Sequence, residues 1–266
     1  MNLFSVITIC RNEKNGIART LESVVNQTYN NYEYIIIDGL STDGTLEIIE
    51  SYREKFLKKN IGFTVISEKD TGIYNAMNKG VRLAKGLFVN MMNGGDCFAD
   101  NDVLTILSKE IDQRADIVYG DANAISLRSN GRFCRYPYKS KNMDTIMKTM
   151  PMAHQTAFVR TVLLVENPFD EKFIIAGDYK FFLTMYLNKR VFQYVDIHIA
   201  DFYLDGISSH NLLLSKKEFA LIKEEAGLIN SKSLSVRLYL FIIRLIILAR
   251  KITPRWFRRL FGGGKT

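Results

Sequence analysis

The chain has 266 residues, of which 47% are hydrophobic, so it can bury a large core in one domain, with or without an appendage. Three cysteines, an odd number without a CxxC pair, argue against a disulfide framework and predict reduced thiols in a cytosolic compartment. The net charge of +8 comes from residues 231–266 and the rest is nearly neutral, which argues against a nucleic-acid groove across the fold.

Strands and helices alternate through the first hundred residues. Short β-branched runs predict strands at 4–10, 32–38, 62–67 and 87–92, and apolar residues at helical spacing predict helices at 16–27, 41–56 and 73–84. This alternation is typical of a mostly parallel sheet covered by helices on both faces. In such sheets, ligands bind beyond the carboxyl ends of the strands.

Polar residues follow each of these four strands. They are Arg11-Asn12-Glu13, Asp38-Gly39, Glu68-Lys69-Asp70 and Asn93-Gly94-Gly95-Asp96. Because the strands are predicted to be parallel, all four ends should meet at one edge of the sheet. So many carboxylates need a cation or hydrogen-bond donors to compensate their charge. Ordinary turn polarity explains any one end alone, whereas four in succession favour a ligand site.

The second half of the chain is less regular. The pattern predicts a strand at 115–122 that ends at Asp121, and a helix late in residues 169–187. Asp178 precedes the apolar part of that helix, where an aspartate is commonly an N-cap. Neither His154 nor His210 has another His or Cys at metal-ligand spacing, which favours a hydrogen-bonded role for both histidines.

Three stretches carry a family resemblance, namely "FSVITICRNE", "TLESVVNQTYNNYEYIIIDGLSTDGT" and "SEKDTGIYNAMNKGVRLAKGLFVNMMNGGDCF". In this order they resemble the nucleotide-binding half of the family 2 glycosyltransferases of GT-A fold, especially bacterial enzymes of exopolysaccharide and lipopolysaccharide synthesis. The resemblance covers residues 3–210 and implies an α/β fold with a Rossmann-like, mostly parallel sheet flanked by helices. It also implies inverting transfer of a sugar from a nucleotide-diphosphate donor such as a UDP-sugar, usually with Mg²⁺ or Mn²⁺.

The resemblance assigns donor-side residues. Asp38 corresponds to the acid that reaches the base or ribose of the nucleotide, and Asp70 to a second acid on the nucleotide side. Arg11 and Glu13, at the end of the first strand, are assigned to donor binding with them.

The metal motif of the family, an acid-any-acid triplet, falls on Asn93-Gly94-Gly95-Asp96, where only Asp96 can supply a charged ligand. One carboxylate can suffice, because Mg²⁺ commonly takes a single acid together with phosphate oxygens and waters. Gly94 and Gly95 would let the backbone approach the donor diphosphate closely. Without the neighbouring motifs, the same residues indicate a Gly-Gly turn after a strand.

The resemblance also assigns the acceptor side. Asp178 in "AGDYKFFL" corresponds to the catalytic base, and His154 and Gln155 in "MAHQTAF" correspond to residues that line the acceptor site. Inverting transfer needs one carboxylate to take the proton of the acceptor hydroxyl, so with the motifs in order a general base is favoured over an N-cap.

Residues 231–266 contain nine basic side chains and no acidic one, and taking these nine from the 36 leaves 27 basic against 28 acidic residues. The apolar runs here are too short to span a bilayer, which takes about 20 apolar residues. Arginines and lysines at helical spacing predict an amphipathic helix on an anionic membrane surface, kinked at Pro254. The alternative is a helix packed on the enzyme body with its arginines facing water.

These observations predict a catalytic domain at 1–230 and a basic membrane-associating tail at 231–266. The predicted function is sugar transfer to a lipid-linked glycan acceptor in bacterial surface polysaccharide synthesis, at the cytoplasmic face of the membrane, without a signal peptide and without nucleic acid. A non-catalytic nucleotide-sugar-binding or scaffold protein is the main alternative, because the metal motif keeps only one acidic residue, Asp96. A dinucleotide-dependent oxidoreductase is a weaker one, because no G-x-G-x-x-G follows the first strand.

Overall fold

The computed structural model describes residues 2–127, 132–204, 211–229 and 241. The chain divides into two compact units, residues 1–206 and 207–266. The strands of the first unit are β1 (Phe4–Cys10), β2 (Tyr32–Asp38), β3 (Gly62–Ser67), β4 (Phe88–Met91), β5 (Cys97–Phe98), β6 (Ile117–Leu127), β7 (Phe133–Tyr138), β8 (Phe158–Arg160) and β9 (Phe192–Tyr203). Its helices are α1 (Ile17–Val25), α2 (Thr45–Ser51), α3 (Arg53–Lys58), α4 (Ile73–Leu83), α5 (Val103–Glu110), α6 (Thr161–Glu166) and α7 (Gly177–Leu187), with short 3₁₀ helices at Met143–Met147 and His154–Thr156. The second unit contains α8 (Leu212–Glu225).

The first four strands form the parallel part of the sheet, in the order β3-β2-β1-β4. β1 and β2 are buried along their whole length, which explains their continuous apolar runs, since a strand covered on both faces has no solvent-facing side. Helix α4 packs closely on β1, so that a Cβ at Gly80 would lie 2.5 Å from Ile7 Cγ2. The parallel order and the strands and helices predicted here are confirmed, with one exception.

The exception is the helix predicted over 41–56, which is two helices joined at Tyr52. The Tyr52 hydroxyl donates a hydrogen bond to Glu22 of α1 at 2.9 Å. Residues ahead of α2 form a turn, in which Asp43 accepts hydrogen bonds from the Lys14 amide at 3.0 Å and the Thr45 amide at 3.1 Å. The polar residues before α2 therefore belong to the loop beside β1 and do not extend the helix.

The rest of the sheet is mixed. β8 pairs antiparallel with β4 and leads on to β6, β9 and β5, and β7 pairs antiparallel with β6. The strand predicted to end at Asp121 continues to Leu127 as β6. Asp121 lies at an irregularity in the β6–β9 register, where its buried carboxylate accepts a hydrogen bond from the Ser140 amide at 2.8 Å.

Among the described residues, no helix combines the length and the apolar character needed to cross a membrane. The basic tail at 231–266 lies outside the described residues apart from Phe241. Its amphipathic helix and the domain boundary at residue 230 stay predictions.

Candidate active site

The carboxyl ends of the four parallel strands meet at one edge of the sheet. The Gly39 amide after β2 donates to the Cys10 carbonyl, and the Gly94 amide after β4 donates to the Ile9 carbonyl, each at 2.9 Å. The Glu68 amide after β3 donates to the Asp38 carbonyl at 3.0 Å. The polar strand ends are therefore neighbours, as the parallel order predicts.

Asp38 lies at this edge and is completely buried. Its Oδ2 accepts hydrogen bonds from the Ser41 amide at 3.0 Å and the Ser67 hydroxyl at 2.6 Å, and its Oδ1 accepts from the Ser41 hydroxyl and faces the Cys10 thiol at 3.8 Å. These four donors fill the four acceptor positions of a carboxylate. Asp38 therefore fixes the loop after β2, and a direct contact with a nucleotide would require these hydrogen bonds to open.

Arg11 and Asp70 are the more open donor-side groups, and both side chains lie over Gly39. A Cβ at Gly39 would lie 2.5 Å from Asp70 Oδ2 and 3.2 Å from Arg11 Cδ, so only glycine leaves room for both side chains. The other oxygen of Asp70 accepts a hydrogen bond from the Gly72 amide at 3.1 Å. A guanidinium beside a carboxylate at this edge can bind a phosphate and a hydroxyl group, respectively.

Glu13 occupies the space left by the missing side chains of Gly94 and Gly95. A Cβ at Gly94 would lie 3.2 Å from Glu13 Cγ and 2.9 Å from Cys10 Cβ, and a Cβ at Gly95 would lie 3.1 Å from Glu13 Oε1. Burial raises the pKa of the Glu13 carboxyl, although the charge of Arg19 opposes this effect. The two glycines thus accommodate protein side chains, and their close approach to a donor diphosphate stays a prediction.

Helix α1 holds the 93–96 turn from one side. The Thr20 hydroxyl accepts a hydrogen bond from the Gly95 amide at 2.9 Å and donates one to the Asp96 carbonyl at 2.7 Å. Arg19 Nε donates to the Gly95 carbonyl at 3.1 Å, and its guanidinium carbon lies 4.0 Å from the centre of the Tyr203 ring. Gly95 has a φ of +95°, which favours glycine at this position.

The Asp96 carboxylate is enclosed by the protein. The residue is 8% exposed, its Oδ2 accepts a hydrogen bond from Gln155 Nε2 at 2.7 Å, and its Oδ1 accepts one from the Tyr203 amide at 2.9 Å. Burial raises the pKa of the Asp96 carboxyl, and these two donors oppose the effect. Asp96 therefore joins the 93–96 turn, the 154–156 turn and the end of β9.

The groups around Asp96 do not fit a divalent cation. Mg²⁺ and Mn²⁺ need accessible carboxylate or other oxygen ligands, whereas the one carboxylate of this motif is enclosed and already hydrogen-bonded. Asn93 Oδ1, which has no hydrogen-bond partner in the described part of the chain, is itself buried. Across residues 2–127, 132–204 and 211–229, no group of three or more His, Cys, Asp or Glu side chains could hold a metal ion. The surroundings of Asp96 therefore do not support its predicted role as a metal ligand.

Asp178 lies in the first turn of α7. It is not the N-cap that the sequence pattern also allowed, because Ala176 occupies the N-cap position. Its Oδ1 accepts hydrogen bonds from the Tyr74 hydroxyl at 3.2 Å and the Tyr179 amide at 2.8 Å. Its Oδ2 lies 3.4 Å from His154 Nδ1, and the side chain is 20% exposed. Asp178 is therefore an oriented carboxylate that an acceptor can reach.

His154 connects Asp178 to the turn at residues 93–96, called the donor-side turn because it lies on the side predicted to bind the sugar donor. Its Nε2 lies 3.0 Å from Asn93 Nδ2, while the next residue, Gln155, donates to Asp96. His154 thus links Asn93, after β4, to Asp178 at the start of α7, and Gln155 binds Asp96 of the same 93–96 turn. The structure brings together Asp96, His154, Gln155 and Asp178, whereas Arg11 and Asp70 lie over Gly39, further along the same edge.

A family model described as Glycosyl transferase family 2 matches residues 5–166, which is more than half of the chain. The matched range includes the carboxyl ends of all four parallel strands. The chain belongs to glycosyl transferase family 2. The resemblance inferred from the motifs is confirmed, and the protein is a glycosyltransferase.

Named relatives of this glycosyltransferase agree with the family. The PGL/p-HBAD biosynthesis glycosyltransferase of Mycobacterium bovis is 28% identical over 250 residues, which cover 91% of this chain and 90% of that protein. The chondroitin synthase of Pasteurella multocida is 27% identical over 237 residues, which cover 84% of this chain but 23% of that much longer protein.

Solved structures show the same fold. S. aureus TarS 1-349 in complex with UDP-GlcNAc matches with a TM-score of 0.64 at 23% identity, over 84% of this chain and 66% of that chain, so this glycosyltransferase spans just under two thirds of it. The mannosyltransferase PcManGT from Pyrobaculum calidifontis, in complex with GDP-Man and Mn²⁺, matches with a TM-score of 0.65 at 17% identity, over 90% of this chain and 69% of that chain. These matches confirm the GT-A type of α/β fold.

Sequence reasoning missed three residues at the site of this glycosyltransferase. Tyr74 lies among apolar residues at helical spacing and resembled a core residue, although a buried tyrosine hydroxyl needs a partner and could have signalled a polar contact. Arg19 is one cation on a helix, which carries no specific signal. Tyr203 contributes a backbone amide to Asp96, and no side-chain pattern predicts that contact.

Proposed function

We propose that this glycosyltransferase moves one sugar from a nucleoside-diphosphate sugar to a lipid-linked glycan acceptor, with inversion at the anomeric carbon, in the synthesis of a surface polysaccharide or related glycoconjugate. The observation that carries the proposal is the partly exposed Asp178 carboxylate, which receives hydrogen bonds from Tyr74 and the Tyr179 amide and lies against His154. Through His154 and Asn93 this carboxylate adjoins the edge where the parallel strands end.

Asp178 acts as the general base in this proposal. The acceptor hydroxyl attacks the anomeric carbon, its proton passes to the Asp178 carboxylate, and the bond between the sugar and the diphosphate breaks with its electrons on the leaving group. One displacement of this kind inverts the configuration. A covalent intermediate would need a second accessible nucleophile, whereas Asp38 and Asp96 are enclosed and hydrogen-bonded and Asp70 is assigned to the nucleoside in this proposal.

Arg11 and Asp70 bind the donor in this proposal. The guanidinium pairs with the diphosphate, and the Asp70 carboxylate accepts a hydrogen bond from a hydroxyl of the nucleoside. Glu13 and Asp38, the other donor-side acids, act by shaping the loops that carry Arg11 and Gly39. A UDP-sugar is proposed because TarS, crystallised with UDP-GlcNAc, is more similar in sequence than PcManGT, crystallised with GDP-Man.

No step of the proposed mechanism uses a divalent cation. The PcManGT structure contains Mn²⁺, and the family resemblance predicts Mg²⁺ or Mn²⁺. In this chain, the enclosed Asp96 offers such a cation no accessible charged ligand.

The acceptor and the location are proposed from the tail. An enzyme that uses a lipid-linked acceptor gains local concentration when it is held at the membrane surface. Nine basic side chains without an acid at 231–266 can provide that attachment to anionic lipids at the cytoplasmic face. The division into a catalytic domain at 1–230 and this tail is part of the same proposal.

The test is a donor screen with the full-length protein. UDP-GlcNAc, UDP-glucose, UDP-galactose and GDP-mannose are each incubated with and without bacterial lipid extract, and nucleoside diphosphate release and labelled sugar in the lipid phase are measured. We expect one donor to give release that depends on the extract. In Asp178→Asn, which keeps the shape but removes the basicity, kcat should fall by roughly 10²–10⁴ while donor affinity changes little. Normal turnover by this variant, or no release with any donor, would reject the proposal and favour a non-catalytic binding protein.

A further inference from the structure

Tyr74 and His154 reach Asp178 from two different parts of the chain. The Tyr74 hydroxyl on α4 contacts Oδ1 at 3.2 Å, and His154 Nδ1 lies 3.4 Å from Oδ2. The residue before Asp178 is glycine, and a Cβ at Gly177 would lie 2.7 Å from Tyr74 Cε2, so the chain leaves space for the ring. Burial and the charge of Asp178 raise the pKa of Tyr74 well above its usual value, so its hydroxyl keeps its proton and donates to the carboxylate.

The contacts of His154 define which ring nitrogen carries the proton. A carboxylate only accepts hydrogen bonds, so a favourable contact between Nδ1 and Asp178 Oδ2 requires a proton on Nδ1. In a neutral ring Nε2 is then an acceptor, and Asn93 Nδ2, a donor, lies 3.0 Å from it. With its proton on Nδ1, His154 cannot accept at that nitrogen the proton that Asp178 collects from the acceptor, so its contact with Asp178 orients the carboxylate.

The side of His154 and Asp178 that faces the protein interior is apolar. A cavity of about 20 Å³ lies behind His154 and Asp178, and the side chains that complete its lining are Met77, Val89, Met91, Ala157, Val159, Leu164, Phe169 and Phe182. A cavity of this size holds about one water molecule. If Tyr74 or His154 lost its donor, the apolar lining on this side would offer no replacement hydrogen bond, and the carboxylate would be free to turn.

We propose that Tyr74 and His154 are positioning residues of the transfer reaction, each directing one oxygen of Asp178 so that the carboxylate faces the acceptor hydroxyl. The inference rests on the proposed function through the role of Asp178 as the base. It adds that the base depends on an Nδ1-protonated His154, which Asn93 of the donor-side turn complements.

The tautomer can be measured without any substrate. The chain has three histidines, so in full-length protein labelled with ¹⁵N-histidine the signals of His154 are those lost in His154→Gln. We expect a protonated Nδ1 and an acceptor Nε2 at neutral pH. A neutral ring protonated on Nε2 would overturn the inference, because its bare Nδ1 would repel the Asp178 carboxylate.

Kinetics with the donor identified in the screen test the positioning role. Tyr74→Phe and His154→Gln should lower kcat by about 10- to 100-fold with donor KM nearly unchanged, since a misdirected base slows the chemical step. His154→Asn should retain more of kcat than His154→Gln, because an asparagine amide can place its N–H near the position of Nδ1. Tyr32→Phe is the matched control, because it removes a buried hydroxyl that donates to the Val24 carbonyl at 2.6 Å, far from Asp178 in the chain.

The decisive comparison uses Asp178→Asn as the background, under single-turnover conditions. If Tyr74 and His154 act through the base, their variants cause no further loss once the base is absent. An equal proportional loss in both backgrounds, or unchanged kcat in Tyr74→Phe and His154→Gln, would overturn the inference. Thermal unfolding, compared with Tyr32→Phe, identifies any loss that comes from folding. Full turnover by Asp178→Asn would instead reject the proposed base, while the NMR result would still decide the His154 contact.

Discussion

Gln155 and Asp96 are joined by a hydrogen bond of 2.7 Å from Nε2 to Oδ2, although 59 residues separate them in the chain. The other oxygen of Asp96 accepts a hydrogen bond from the Tyr203 amide at 2.9 Å. One buried carboxylate therefore connects the donor-side turn, the turn that carries His154, and the end of β9. This connection predicts effects that differ from those of a metal ligand.

Asp96→Ala should weaken donor binding by the same factor in Mn²⁺ and in chelator, because the lost interactions are with Gln155 and Tyr203 and not with a cation. It should also lower the free energy of unfolding by about 1–3 kcal/mol, the cost of leaving buried donors without an acceptor. Calorimetric titration with UDP in the two buffers measures the binding, and urea unfolding measures the stability. A loss confined to the Mn²⁺ buffer would instead identify Asp96 as a metal ligand.

The raised pKa of Asp96 predicts a dependence of stability on pH. Its folded-state pKa lies above the unfolded value of 3.8, so the folded protein binds the proton more tightly. This contribution to the free energy of unfolding is fully present below pH 3.8 and is lost as pH rises through the folded-state pKa. The stability of the native protein relative to Asp96→Asn should therefore decrease as pH rises above 3.8, measured by urea unfolding. A relative stability that increases over this range would show that the ionised carboxylate is the favoured form.

Much of the fold could be predicted because the first half has simple periodic patterns. β-branched runs with polar ends located β1 and β2 to the residue, and alternation with helices predicted their parallel order. The second half is held by both antiparallel and parallel pairs between distant segments, such as β4 with β8 and β6 with β9, and a three-residue strand like Phe158–Arg160 has too few residues to show a period. The 41–56 helix was wrong at its start because Ser41, Thr42 and Asp43 bond to the loop after β1.

The residues that lie together at the site could be predicted from the sequence, whereas the role of each residue could not. Parallel strands bring their polar ends to one edge whatever the side chains are, so the neighbourhood of Arg11, Asp38, Asp70 and Asp96 follows from order alone. Whether an acid there is open or enclosed depends on its tertiary partners. Asp38 is saturated by Ser41 and Ser67, and Asp96 by Gln155 and a backbone amide, and none of these pairings has a sequence signal.

Gly94→Ala should destabilise the protein by about 1–3 kcal/mol, the usual cost of overpacking. The new methyl carbon would lie 2.9 Å from Cys10 Cβ and 3.2 Å from Glu13 Cγ, so β1 or the 93–96 turn must shift. Gly62→Ala is the control, because its Cβ would meet only Glu33 Cβ at an ordinary 3.5 Å and the change should be neutral or stabilising. Thermal unfolding compares the two variants. Equal stability of both would mean that the turn can move without cost.

The basic tail provides the last prediction, which concerns residues outside the described part of the chain. Removal of residues 235–266 takes away eight of the nine basic side chains beyond residue 230 and no acidic one, so the shortened protein should be nearly neutral and remain folded. It should no longer sediment with anionic vesicles. The intact chain should bind such vesicles, bind neutral vesicles more weakly, and dissociate as salt rises, because each Lys or Arg near an anionic surface contributes about 1 kcal/mol that salt screens.

A full-length variant with Arg244, Arg250, Lys251 and Arg255 replaced by glutamine is the matched control for that truncation, since it keeps the apolar residues and the length. It should bind anionic vesicles far less than the intact chain and unfold at the same temperature. If the truncated protein unfolds, or if the intact chain does not bind anionic vesicles, the segment packs on the enzyme body as a core helix. The attachment to the membrane, and with it the argument for a lipid-linked acceptor, would then be lost, whereas the roles of Asp178, Tyr74 and His154 would be unaffected.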